Sequence, residues 1–194
     1  MSEPVLLPAQ IESQRLLIRP PVAADSRALN EATCASFAEL QPFMDWAQEP
    51  PTLEQSQAFC ETGSRELNAP GMRPLLMWRR SDGLLLGGVG LAGFDLSVPR
   101  FELGYWCRSD ATGNGYVSEA VIAQCRYLFG TLAARRVELR MDERNVASYR
   151  VAERLGFTLE GTLRNDGVAN DGSLRSTRVY ALYALAGLKQ LGPG

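Results

Sequence analysis

The stretch Cys107-Arg108-Ser109-Asp110-Ala111-Thr112-Gly113-Asn114-Gly115-Tyr116-Val117-Ser118-Glu119-Ala120 restricts the fold of this chain more than any other. A β-rich run, Phe101 to Cys107, leads into it. An amphipathic helix pattern leads out, with Val117, Ala120, Val121, Cys125 and Leu128 on one face. Glycines let a backbone approach a ligand closely, because no Cβ intervenes. The first N–H groups of a helix lack intrahelical partners and form the positive end of its dipole. A strand, a Gly-x-Gly turn and a helix start therefore suit a phosphate or pyrophosphate. An ordinary strand-to-helix turn fits the same short pattern, so both readings stand at this point.

The rest of the chain is read around that stretch. Ser13 to Arg19 alternates as a first strand and Pro20-Pro21 ends it. Asp25 is a candidate N-cap for a helix from about Ser26 to Phe37. Thr52 with Gln55 resembles a capping box, and the helix after it should run to about Leu67, stopped by Asn68-Ala69-Pro70-Gly71. Pro74 to Arg80, the Ser81-Asp82-Gly83 turn, Leu84 to Phe94 and Phe101 to Cys107 make an antiparallel meander. Gly87, Gly88, Gly90 and Gly93 in its second strand suggest a bulge or close packing. A helix from about Gly113 to Phe129, a strand from Arg136 to Met141 and a short helix from Asn145 closed by Gly156 follow. Phe157 to Gly161 starts a strand, Arg164 to Gly172 reads as a polar loop, and Ser173 to Leu185 is the last strand. The order β-α-α-β-β-β-α-β-α-β-β implies an α/β (α+β) fold with a mixed central sheet and helices on both faces. No repeat or linker divides the 194 residues, so a single domain over 1–194 is expected, with a core of about 13–186.

Composition removes several chemistries. The chain has no histidine, which excludes Ser-His-Asp and Cys-His mechanisms and His-ligated metal sites. Cys34, Cys60, Cys107 and Cys125 lack C-x-x-C spacing, so no metal is expected and reduced thiols fit a cytoplasmic setting. The net charge of −2 gives no reason to expect a nucleic-acid partner. No signal pattern and no membrane-spanning apolar run is seen. A nucleoside-triphosphate loop would need a Lys-Ser/Thr after the glycines, and none follows.

Two segments in order carry a resemblance to a known family. Glu102-Leu103-Gly104-Tyr105-Trp106 leads to Gly113-Asn114-Gly115-Tyr116-Val117-Ser118-Glu119-Ala120. Asn145-x-x-Ser148 leads to Glu153-Arg154-Leu155-Gly156-Phe157. Together they resemble the GCN5-related N-acetyltransferase (GNAT) superfamily, and within it the ribosomal-protein N-terminal acetyltransferases that modify alanine or serine. Gln14-Arg15-Leu16-Leu17-Ile18-Arg19, the Trp46 loop and Glu160-Gly161-Thr162-Leu163-Arg164 fit that branch. The resemblance implies acetyl-CoA as cosubstrate and a mostly antiparallel sheet, bulged and splayed where acetyl-CoA lies. It places the pantetheine arm along Tyr105-Trp106-Cys107, with Arg136 to Met141 as the splayed neighbour. The pyrophosphate would lie on Thr112, Gly113, Asn114, Gly115, Tyr116 and Val117. Asn145, Ser148 and Arg154 complete the cofactor set. The family commonly has Arg or Gln where this chain has Asp110, and Arg108 is the candidate to supply the positive charge.

Acetyl transfer to an amine needs a base for the amine proton and gains from an acid for the leaving thiolate. Glu102 is the base candidate, against a solvated strand residue. The resemblance offers Ser148 as the acid, with Tyr149 as the runner-up; capping is the alternative role for Asn145 and Ser148. Glu119 reads as a first-turn helix acid. The acceptor cleft is expected between the Leu40 to Trp46 loop, the Gly88 to Phe94 strand end and the Arg164 to Asp171 loop. Phe43 and Trp46 would line it, unless they cover the first helix. Glu39, Asp45, Asp95 and Asp166 would attract an ammonium group, unless they are solvated acids. The expected acceptor is the N-terminal amine of a protein or peptide. A small amine, a polyamine, an antibiotic amine, or a CoA-binding module without activity are the alternatives. A homodimer is compatible with the last strand and the glycine-rich strand.

Overall fold

A computed structural model describes residues 8–65 and 73–189. Its strands are β1 (Ile11–Glu12), β2 (Leu16–Arg19), β3 (Arg73–Arg79), β4 (Leu85–Asp95), β5 (Arg100–Cys107), β6 (Arg136–Asp142), β7 (Thr158–Val168) and β8 (Leu174–Leu182). The helices are α1 (Ser26–Ala35), α2 (Phe37–Leu40), α3 (Leu53–Arg65), α4 (Tyr116–Gly130) and α5 (Val146–Leu155). One sheet runs in the order β1-β2-β3-β4-β5-β6-β8-β7. Only β5 and β6 are parallel, joined by the α4 crossover. Among the described residues, no helix is long and apolar enough to cross a membrane.

The period of two along the strands sorts side chains between the faces. Leu75 and Met77 of β3 pack with Ala120 and Ala123 of α4, whereas Leu76 between them packs with α1 and α3. Phe101, Leu103 and Tyr105 of β5 meet α4 and α5, while Trp106 packs beside Leu29, Ala32 and Cys60. Strands flanked by helices on both faces carry continuous apolar runs, as the centre of β3, Leu75 to Trp78, and most of β4 do.

Several local readings hold. Thr52 and Gln55 form the reciprocal capping pair, at 2.8 and 3.2 Å. Gly156 ends α5 at φ +86°. The glycines of β4 serve close approach: a Cβ at Gly90 would stand 2.1 Å from the Arg73 carbonyl oxygen. The register of β4 against β5 shifts between Leu91 and Gly93, which is the bulge.

Others are corrected. Asp25 does not cap α1; it is buried, takes two bonds from the Arg19 guanidinium at 2.7 and 2.8 Å, and accepts from the Val22 N–H. The first helix stops at Ala35, and Phe37–Leu40 is a separate turn of helix. The polar segment Arg164 to Val168 continues β7 rather than looping. Both faces of that edge strand are largely exposed, so it needs no apolar alternation, and the signal was lost. The proposed stop at Asn68 to Gly71 lies outside the described residues.

Candidate active site

The turn after β5 is a cradle of backbone donors. Gly113 and Gly115 adopt φ +80° and +76°, conformations that suit glycine. The N–H groups from Gly113 to Ser118 meet no acceptor among the described residues. A Cβ at Gly113 would stand in open space, and one at Gly115 would face the Arg15 guanidinium at 3.6 Å. The cradle is braced from the segment just before β2. Glu119 accepts from the Ser13 hydroxyl at 2.7 Å and from the Arg15 N–H and Nε at 2.8 and 2.6 Å. Arg15 also donates to the Asn114 carbonyl at 3.0 Å and lies over the Tyr116 ring. Glu119 is thus a structural acid. Arg15 belongs to the opening motif, and its contacts with a turn a hundred residues away are not readable locally.

The positive charge expected from Arg108 is already engaged. Its guanidinium holds Asp110 through bonds of 2.5 and 2.9 Å and reaches the Leu85 carbonyl at 3.3 Å. Arg108 in turn keeps the Asp110 carboxyl below its ordinary range. Thr112 and Asn114 brace the turn from within, the Thr112 hydroxyl bonding the Ser109 carbonyl. Glu39 lies on this side, accepting from the Ser109 hydroxyl at 2.9 Å.

Next to the cradle the sheet parts. β5 pairs with β6 from Arg100↔Arg136 to Leu103↔Leu139 and no further. Beyond that point β5 stays with β4 as far as Cys107, and β6 stays with β8 as far as Asp142. The groups of Gly104 to Cys107 that point toward β6 therefore have no strand partner. Burial pushes the Tyr105 phenol up to about 12 and the Cys107 thiol up to about 11. Trp106 meets Trp46 edge to face, with ring centroids 6.1 Å apart.

Glu102 is the last but one β5 residue paired with β6 and stands directly beside Glu138. Burial raises its carboxyl above the ordinary glutamate range. Ser148, in the first turn of α5, lies across the splay. Its hydroxyl donates to the Tyr105 oxygen at 3.1 Å, and the Tyr105 hydroxyl donates to the Ser148 carbonyl at 3.0 Å. Asn145 caps α5 by accepting from the Ser148 N–H at 3.1 Å. Tyr149 packs under Arg178, 4.2 Å from its ring centroid. Arg154 is exposed in the last turn of α5.

Where the acceptor cleft is expected, Asn170 joins two segments. Its amide nitrogen donates to the carbonyls of Gln41 and Met44 at 2.5 and 3.0 Å, and its oxygen accepts from Gln48 at 2.7 Å. The 41–48 loop carrying Phe43, Asp45 and Trp46 is thereby tied to the β7–β8 turn. Asp45 lies 3.8 Å from Arg175, and Asp166 lies 3.8 Å from Arg140. Asn170 was hidden in an Asn-Asp-Gly turn whose only local message was a reversal. A cavity of about 340 Å³ opens beside the splay, lined by Gly93, Phe94, Arg100, Glu102, Glu138 and Arg140 among others. Among the described residues, no group of three His, Cys, Asp or Glu could hold a metal ion.

A row of N–H donors, an unfilled glycine turn and an open strand edge fit the pyrophosphate and amide-bearing arm of acetyl-CoA. Comparisons with known proteins agree. Residues 15–158 match the model of the acetyltransferase (GNAT) domain. The ribosomal-protein-serine acetyltransferase of Escherichia coli is 27% identical over 148 residues, 75% of this chain and 80% of that protein. YdaF of Bacillus subtilis is 33% identical over 101 residues, only 52% of this chain and 55% of that protein. The ribosomal L7/L12 acetyltransferase RimL, solved with coenzyme A, superposes with a TM-score of 0.82 at 22% identity, covering 91% of this chain and 99% of that one. MccE, a microcin C7 self-immunity acetyltransferase solved with acetyl-CoA and AMP, gives 0.83 at 20% identity, covering 92% and 98%. The chain belongs to the GNAT acetyltransferases and is an acetyl-CoA-dependent N-acetyltransferase.

Proposed function

We propose that the protein transfers acetyl from acetyl-CoA directly to the N-terminal amine of a protein or peptide, as one domain over 1–194. The observation that carries the chemistry is the splay after Leu103 and Leu139, with Glu102 on one side and Ser148 on the other. Bound acetyl-CoA supplies the thioester. The Gly113–Ser118 amides hold its phosphates, and the unpaired edge of Gly104 to Cys107 orients its arm. Positioning of this kind can account for much of an enzyme's acceleration. Glu102 accepts the proton of the attacking amine, directly or through water; its raised affinity for protons suits that role near neutral pH. Ser148 turns its hydroxyl proton from the Tyr105 oxygen to the leaving thiolate, while the Tyr105 hydroxyl keeps its bond to the Ser148 carbonyl. Asn145 keeps the first turn of α5 in register.

The preference for a peptide amine rests on the named relatives. The test is calorimetric titration with acetyl-CoA, with ATP as the control, followed by mass-shift assays on N-terminal Ala and Ser peptides. One-to-one acetyl-CoA binding with an acetyl mass shift on the α-amine is expected. Acetylation of polyamines alone would replace the acceptor assignment.

A further inference from the structure

The cavity beside the splay holds charges that the chemistry above does not use. Arg100 and Glu102 lie on one face of β5, and Glu138 and Arg140 on the matching face of β6. Glu138 is spoken for: Arg136 donates to it at 2.9 and 2.5 Å and also grips Glu160. Arg100 and Arg140 differ. The Arg100 contact with Asp95 is 3.8 Å, and Asp95 is occupied by the Ser97 N–H and hydroxyl at 2.9 and 2.6 Å. Arg140 reaches Glu138 and Asp166 only at 3.5 and 3.8 Å. Hydrogen bonds between guanidinium and carboxylate are usually about 2.7–2.9 Å, so both side chains keep donors for something else. Arg136 divides its charge between Glu138 and Glu160, so the cavity is lined by two carboxylates, Glu102 and Glu138, and by two guanidinium groups, Arg100 and Arg140, that no carboxylate holds closely.

We infer that the acceptor carries an anionic group, a carboxylate, close to the amine that is acetylated, and that Arg100 and Arg140 bind it while Glu102 takes the amine proton. This rests on the acetyltransferase reading and names its substrate class. The spacing is set by the sheet. Arg100 stands two residues from Glu102 on one strand, roughly 7 Å away. An extended peptide covers that distance in about two residues, so an acidic side chain at the second or third position would reach Arg100. A free dicarboxylic amino acid offers the same chemistry in one small molecule.

The test compares kcat/KM for Ser-Asp-Asp, Ser-Ala-Ala and Ser-Lys-Lys peptides and for free aspartate, following thiol release from acetyl-CoA. The wild-type protein should favour the acidic peptide, or aspartate, over the neutral peptide by at least about tenfold. That ratio should fall toward one in Arg100→Gln and in Arg140→Gln. Arg100→Glu, at a position with an exposed side chain, should turn the preference toward Ser-Lys-Lys. Preference for aspartate over every peptide would keep the inference and assign it to a small molecule. Equal rates on all peptides would overturn the inference while leaving peptide acetylation standing. Turnover of polyamines alone would overturn both.

Discussion

Tyr105 and Ser148 exchange hydrogen bonds across the gap between β5 and α5: the serine hydroxyl donates to the phenol oxygen, and the phenol donates to the serine carbonyl. The hydroxyl proposed to serve the leaving thiolate is thus steered by a half-buried tyrosine. Ser148→Ala removes one bond and leaves the phenol its main-chain acceptor, so stability should fall by only about 1 kcal/mol. Turnover should fall on the order of a hundredfold, with acetyl-CoA affinity retained. Tyr105→Phe should slow turnover less, because it loosens Ser148 without deleting it. Steady-state kinetics with calorimetric Kd values checks this. If Tyr149→Phe is the most damaging of the three, the acid assignment passes to Tyr149.

Glu102 should set the acidic limb of the pH profile. Burial is the main reason that its carboxyl titrates above the ordinary value of 4.5, and the Glu138 charge adds to it against Arg140 and Arg100. Only the ionised form accepts a proton, so kcat/KM should fall as pH drops through that raised pKa. Glu102→Gln should abolish this limb and lower kcat/KM by on the order of a hundredfold. The same shift acts on stability. The folded state binds this proton more tightly than the unfolded chain, so ionisation weakens the fold above the raised pKa and has no effect below about 4.5. Glu102→Gln should therefore raise Tm at pH 7 and leave it unchanged at pH 4. An unaltered activity profile in the variant would remove Glu102 as the base.

Two substitutions at the phosphate cradle should act in opposite directions. Asp110→Asn frees Arg108 and removes a negative charge, so acetyl-CoA should bind a few-fold tighter at low ionic strength, the difference shrinking as salt is added. Gly115→Asp places a charged side chain at φ +76° against the Arg15 guanidinium that braces the turn. The strain alone is about 1–2 kcal/mol, and affinity should drop by at least tenfold. Calorimetry at two salt concentrations separates the effects. Equal affinities in all three proteins would show that the phosphates lie elsewhere.

Asn170 should govern acceptor binding alone. Asn170→Ala deletes the two donated bonds and the one accepted bond that anchor the 41–48 loop, which carries Trp46 onto Trp106. KM for the acceptor should rise several-fold while Kd for acetyl-CoA stays constant. Asn170→Asp keeps the acceptor for Gln48 but loses the donors and should behave like the alanine variant. A parallel rise in Kd for acetyl-CoA would show instead that the loop supports the cofactor arm.

By itself the sequence determined what short-range chemistry can specify. The alternation of β2, the Asp82-Gly83 turn, the Thr52–Gln55 cap and the Gly113–Gly115 strand-to-helix turn each depend on neighbours a few residues apart, and each forms as read. The absence of histidine and the ordered pair of motifs narrowed the chemistry before any coordinates. Tertiary structure alone decided what depends on distant partners. Asp25 had the right residue type for a cap, yet its buried carboxylate is bound by the Arg19 guanidinium more strongly than by an exposed helix end. Arg108 is occupied because Asp110 folds back on it, a contact that residue type alone does not specify. The loose ion pairs of Arg100 and Arg140, the Asn170 tether and the Tyr105–Ser148 exchange all join residues brought together by sheet register or turn packing. A one-dimensional pattern records which face a residue occupies; which charge is already satisfied on that face is set by the strands that happen to lie beside it.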